Sequence, residues 1–116
     1  MTNPAAVIDE LITEVHKNAK LKGFWTVSEN TPEKVMLIVT ELAEYVERYR
    51  RDQKAGSCQD MSDEHCSEYT NQEIELADAV IRIFDLAGYH NYRLGDAIVA
   101  KMKYNATRPY LHGKAF

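Results

Sequence analysis

Residues 70–88 read TNQEIELADAVIRIFDLAG, and this stretch decides the fold. Thr70 and Glu73 make the S/T-x-x-E signature of a helix N-terminus, where each side chain satisfies a backbone N–H of the other residue. Ile74, Leu76, Ala77, Ala79, Val80, Ile81, Ile83, Phe84, Leu86 and Ala87 follow at helical spacing and cover most of the circumference. A helix apolar nearly all round is buried on several sides. Gly88 is its expected stop. With 116 residues, the chain has few other elements to surround such a helix, so a second subunit is expected to supply part of the cover.

Working outward, the periodicity stays helical and no alternating strand segment appears. Upstream, Thr31-Pro32-Glu33 reads as the cap and first turn of another helix, with Val35, Ile38, Val39, Leu42, Val46 and Tyr49 as its buried stripe. That helix is expected to fade after Arg50-Arg51, where cations suit the negative end of the dipole. Residues 52–69 are polar and aperiodic and read as a loop. The first helix starts at Asn3-Pro4, a cap followed by proline at the first helical position. It carries Ile8, Leu11, Ile12, Val15 and Ala19 inward and ends at Gly23, after which Phe24-Trp25 opens a connection to Asn30. A fourth helix spans roughly Leu94 to Tyr104, with Asn91 the only good cap nearby and Arg93 a weak one. The expected architecture is an all-α four-helix bundle, a single domain over residues 1–116, completed by homo-oligomerisation.

Two acidic pairs stand inside these apolar stretches: Glu41 with Glu44, and Glu75 with Asp78. Each is spaced i,i+3, so both side chains leave one helix face about 5–6 Å apart at Cβ. Four carboxylates bordering core-forming stripes are costly unless something positive neutralises them. A hard divalent cation is the simplest neutraliser, which points to Mg²⁺, with Mn²⁺ as a substitute. A loop returning the second helix antiparallel to the first lets the four acids meet. Such a metal would bridge them to substrate phosphates and help generate an attacking hydroxide.

Composition narrows the classes. The chain is 45% hydrophobic and 28% charged, ordinary for a soluble globular domain. A net charge of −4 argues against a general nucleic-acid-binding surface. No apolar run approaches the ~18–20 residues of a membrane span. Met1-Thr2-Asn3-Pro4 leads into an amphipathic pattern rather than a signal peptide, so a cytoplasmic location is expected. Cys58 and Cys66 show neither CxxC nor HxxxH spacing and read as free thiols in a loop rather than zinc ligands.

Four ordered segments carry a resemblance: KGFW at 22–25, EKVMLIVTELAEYVE at 33–47, ELADAVIRIFDLAG at 75–88 and KMKYNATRPYLHGKAF at 101–116. Together with ExxE on one helix and ExxD on the next, they resemble the MazG-like family of all-α nucleoside triphosphate pyrophosphohydrolases. The resemblance implies hydrolysis of an NTP or dNTP between the α- and β-phosphates to monophosphate and pyrophosphate, in nucleotide-pool cleansing or dNTP recycling. It implies Mg²⁺ on Glu41, Glu44, Glu75 and Asp78, with Glu44 the choice for orienting the nucleophilic water. Lys101, Asn105 and Arg108 map to the family's basic positions that face phosphates or sugar. Lys34, on the Glu41 face one heptad earlier, and Lys114 in the tail are further phosphate candidates, and Trp25 is a candidate for stacking on the base. A homodimer or homotetramer is the family habit. Many members carry EExxE, whereas this chain has Thr40 before Glu41 and a third acid at Glu47.

Each piece has a plainer reading beside it. Phe24-Trp25 can plug the bundle end, Arg82 can pair with Asp78 one turn earlier, and Asp85 can be structural. A ferritin-like dinuclear centre needs Glu-x-x-His pairs, and no histidine here has a glutamate three residues before it. The rival from another class is a non-catalytic helical oligomeric interaction or regulatory module, in which the acids tolerate amide replacement.

Overall fold

The computed structural model describes residues 3–26, 30–54 and 61–115. Helix α1 spans Pro4–Leu21, α2 Thr31–Lys54, α3 Asn71–His90 and α4 Leu94–Ala106, followed by a 3-10 turn at Tyr110–Gly113. Among the described residues there is no strand; Ser62 and Thr70 form one isolated antiparallel bridge. The chain is all-α, as the periodicity predicts. No described helix is long and apolar enough to cross a membrane.

Several helix ends follow from local sequence. The Asn3 side chain accepts the Ala5 N–H ahead of Pro4, and Gly23 leaves α1 with φ at +88°. Thr70 and Glu73 close the expected capping box on α3. The α2 cap falls one residue before Thr31, where the Asn30 side chain accepts the Glu33 N–H at 3.1 Å.

Other ends differ from expectation, for tertiary reasons. Helix α2 continues past Arg50-Arg51 to Lys54, so 52–54 belong to the helix and not to a loop. Asp52 holds that last turn: its buried carboxylate accepts the Met61 N–H at 3.0 Å and a Gln72 amide N–H at 3.1 Å. The Met61 N–H, helped by Gln72 and Asn71, keeps this carboxyl below the usual carboxylate range despite its desolvation. Helix α3 likewise runs through Gly88 to His90, and Asn91, left-handed at φ +56°, is its C-cap. Asn91 is thereby committed to α3, and α4 starts after Arg93 with no side-chain cap. Of the two cysteines, Cys66 is an exposed free thiol, while Cys58 lies outside the described residues.

Packing is led by close approaches rather than by a large apolar centre. Helix α3 lies between α2 and α1, and α1 also packs on α4. Gly88 permits the α1–α3 approach: a Cβ there would lie 2.7 Å from His16 Cβ and 3.3 Å from Ile12 Cγ2. Gly95 does the same for α4, where a Cβ would meet the Ala5 carbonyl oxygen at 2.5 Å and Asp9 Oδ1 at 2.7 Å. Among the described residues, the buried apolar side chains are few and mostly small: Ala5, Ile12, Ala79 and Ala87.

The α2 stripe expected to be buried is instead open within one chain: Val35 is 43% exposed, Leu42 46% and Val46 53%. Helix α3 is also open on one side, with Leu76 and Ile81 each 47% exposed. The face that α2 turns inward carries Lys34, Leu37, Glu41, Tyr45, Arg48 and Asp52, all buried or half-buried. The reason is register. Polar partners on α3 stand opposite this face, and two helices cannot present their apolar and their charge-paired faces to each other at once.

Gly95→Ala sets a gain of about 1 kcal/mol in helix propensity against a clash with a backbone carbonyl. The carbonyl is part of α1 and cannot rotate away, so the clash wins. The expected outcome is a net loss of about 1–2 kcal/mol in urea unfolding, with helix content by circular dichroism unchanged.

Candidate metal centre

The antiparallel α2–α3 interface is a ladder of polar pairs. Asp52 meets Gln72 at one end. Next, Arg48 Nε lies 3.5 Å from Glu75 Oε1. Further along, Arg82 Nε donates to Glu41 Oε1 at 2.6 Å. Thr31 and His90 meet at 3.1 Å near the far end. Each helix carries a glutamate with an arginine one heptad later, Glu41 with Arg48 and Glu75 with Arg82. Antiparallel packing then pairs them crosswise.

Between the two arginine pairs, Glu41, Glu75 and Asp78 bring carboxylate oxygens within 4.8 Å of one another. Glu41 and Glu75 are each 8% exposed, and Glu75 Oε2 is buried with no hydrogen-bond partner. A buried ionised oxygen without a donor is costly, on the order of 1–3 kcal/mol or more, unless a cation or water meets it. Burial, reinforced by the Glu41 charge, holds the Asp78 carboxyl above the usual carboxylate range. Glu44 is exposed beside this group rather than within it. Its carboxyl is also held high, chiefly by hydrogen bonding and charge from Glu41, with smaller contributions from burial and Glu75.

The donor set fits a hard divalent ion. All three groups are carboxylates, and octahedral Mg²⁺ at about 2.0–2.1 Å needs oxygens roughly 3 Å apart when adjacent and 4 Å when opposed. The triad is close to that span. Three of the four sequence-expected ligands therefore converge, and Glu44 stands at their edge. Glu47 pairs with Arg51 on the surface at 3.3 Å, away from the triad.

Beside the triad opens a cavity of about 580 Å³, bordered by Glu41, Asp78, Arg82, Lys34, Phe24, Trp25 and Asp85 among others. Lys34 and Trp25, two of the expected substrate-binding residues, border it, but neither stands free. Trp25 stacks on Tyr89 at 4.3 Å between centroids and donates its indole N–H to Asp85 at 2.9 Å. Lys34 Nζ stands 4.3 Å from the Trp25 ring centre and donates to the Phe24 carbonyl at 3.1 Å. A ring stacked on Tyr89 leaves one face, and Lys34 covers it, so base stacking on Trp25 requires Lys34 to move. Lys101, Asn105, Arg108 and Lys114 do not border the cavity within one chain; Lys101 and Arg108 lie over Tyr104 instead.

Sequence reading missed three features here. Arg82 pairs across the interface with Glu41, and not along its own helix with Asp78. Arg48 reaches Glu75. Asp85 accepts from Trp25 and meets His16 Nδ1 at 2.8 Å, giving His16 a carboxylate partner from another helix. The heptad spacing of glutamate and arginine on both helices was the available signal for the first two. Nothing in sequence spacing links His16 to Asp85.

Asp78 gives the sharpest test. A carboxyl raised on folding opposes stability when ionised, most fully above its folded value, and the penalty fades as pH falls through that value. Asp78→Asn is therefore expected to raise the melting temperature of metal-free protein at pH 7 by roughly 2–4 °C. A rise in melting temperature on adding Mg²⁺ is expected for wild-type protein and not for this variant, because ligand binding stabilises only a fold that retains the site. Differential scanning calorimetry with and without Mg²⁺ checks both. Comparisons with protein-family models, curated proteins and solved structures found no match to this chain.

Proposed function

We propose that the chain is a Mg²⁺-dependent nucleoside triphosphate pyrophosphohydrolase of the MazG-like type, active as a homo-oligomer. The observation that carries this reading is the convergence of Glu41, Glu75 and Asp78 from two antiparallel helices, with a buried unpartnered oxygen on Glu75, beside an open cavity. Bound there, Mg²⁺ would supply Lewis-acid polarisation of a phosphate oxygen and a more acidic water. Glu41, Glu75 and Asp78 hold the ion. Glu44, exposed at the edge of the triad, is the residue assigned here to orient the water that attacks the phosphoanhydride. That water would pass a proton to the Glu44 carboxylate as its oxygen bonds to one phosphorus of the α–β bridge, and the bridging oxygen would leave with the other phosphate group, giving a monophosphate and pyrophosphate. Lys34 and Arg82 are the cations bordering the cavity within the chain.

Surface supports the oligomer. The accessible area of 9001 Å² exceeds the roughly 6,500 Å² expected of a compact monomer of this mass. The radius of gyration is 17.1 Å, against roughly 13 Å for a compact chain of this length. An area above the compact-monomer value is what a chain with surface reserved for a partner would show. The exposed surface includes the open apolar stripes of α2 and α3. In this reading the phosphate role expected of Lys101, Asn105, Arg108 and Lys114 falls to these residues of a second copy.

A non-catalytic helical module is the second reading, and one observation favours it: two of the three clustered acids already have arginine partners within the chain. Turnover decides between the two. A panel of NTPs and dNTPs with Mg²⁺, read separately for pyrophosphate and orthophosphate, is expected to show pyrophosphate with monophosphate. Glu41→Gln should lower the rate by at least about 100-fold with helix content retained. Orthophosphate alone would mean a different bond is cut, and silence across the panel favours the module. Light scattering is expected to give a multiple of the 13.3 kDa chain; a monomer mass would refute the oligomer.

A further inference from the structure

We infer that Arg82 is a resident counter-ion that a divalent cation must displace, and that this makes metal binding depend on the phosphates of the substrate. The inference rests on the metal reading above. In the ion-free chain, Arg82 Nε donates to Glu41 Oε1 at 2.6 Å, and the Glu41 side chain is 10% exposed while that of Arg82 is 38% exposed. The acid is fixed and buried; the guanidinium has room to leave. Glu75, of the same triad, has an unpartnered buried oxygen, so a cation drawn to the triad also meets Glu41.

A divalent ion and a guanidinium on one carboxylate repel with twice the strength of two unit charges at that distance. Each therefore weakens the other's hold on Glu41, and the more exposed arginine is the one that gives way. Once displaced, Arg82 stays at the cavity wall that it already borders, where a phosphate offers the bidentate acceptor that guanidinium suits. Without a phosphate, the displaced guanidinium loses its partner, and the ion binds weakly. With one, the arginine moves from one anion to another at little cost. Metal and phosphate affinities are then coupled, each raising the other by the same factor. Arg48 is less suited to this role, since its Nε stands 3.5 Å from Glu75 Oε1.

The test titrates Mn²⁺ alone, and then Mn²⁺ with inorganic triphosphate, by calorimetry and by water-proton relaxation. Arg82→Gln is expected to bind Mn²⁺ alone about tenfold more tightly than wild type, because a competing positive charge is gone. Its gain in Mn²⁺ affinity on adding triphosphate should be smaller than that of wild type. Arg82→Lys keeps the charge but loses the two-point fit, so its Mn²⁺ affinity should fall between the two. It also serves if circular dichroism shows Arg82→Gln unfolded. Equal or weaker Mn²⁺ binding in the variants would overturn the exchange while leaving the metal site standing. Failure of wild type and variants alike to bind Mn²⁺, with or without triphosphate, would overturn the metal reading and this inference with it.

Discussion

The crosswise pairing of Glu41 with Arg82 and Arg48 with Glu75 sets the register of α2 on α3, and most of the remaining structure depends on it. Ion pairs between exposed residues contribute little, but these acids are buried and their register admits few alternatives. Sliding one helix by a turn would leave carboxylates facing carboxylates. The same register places Asp52 against Gln72 and Met61, so Met61 is held where the ladder ends. It also determines that three carboxylates face one another in the middle.

That arrangement has a cost in apolar burial. Helix α2 has two usable faces, one apolar and one charge-paired, and within a chain it turns the second toward α3. Val35, Leu42 and Val46 then remain at the surface, as do Leu76 and Ile81 of α3. A single chain this open buries little apolar area for its length, and small domains have little stability to spare. The oligomer proposed above would resolve the conflict, because the charged faces are satisfied inside each chain and the apolar stripes are left for a second copy.

At the end of the ladder nearest His90, Asp85 organises a second polar group among aromatic rings. It accepts from Trp25 and pairs with His16, while Tyr89 stacks on Trp25 and Lys34 stands over the indole. Trp25 is thereby held against α1, α2 and α3 together. Within one chain the ring contacts of Trp25 are packing contacts, to the rings of Tyr89 and His16. The cavity between this group and the acidic triad has its walls set from both sides, by packing at Trp25 and by charge pairing at Arg82.

Sequence alone determined the elements: period 3.6 in the apolar residues, Asn3-Pro4 and the Thr70–Glu73 box at helix starts, and i,i+3 spacing that put each acid pair on one face. These are local effects, decided within a turn or two of chain. Tertiary structure decided what local rules cannot see. Gly88 is interior to α3 because His16 and Ile12 of α1 press against it, not because the helix stops there. Helix α2 keeps its last turn because Asp52 finds partners from Met61 and Gln72. Arg82 leaves Asp78 for Glu41, and three acids rather than four converge, because helix–helix register selects partners by position in space. Spacing along a chain states which side chains share a face; only packing states what that face meets.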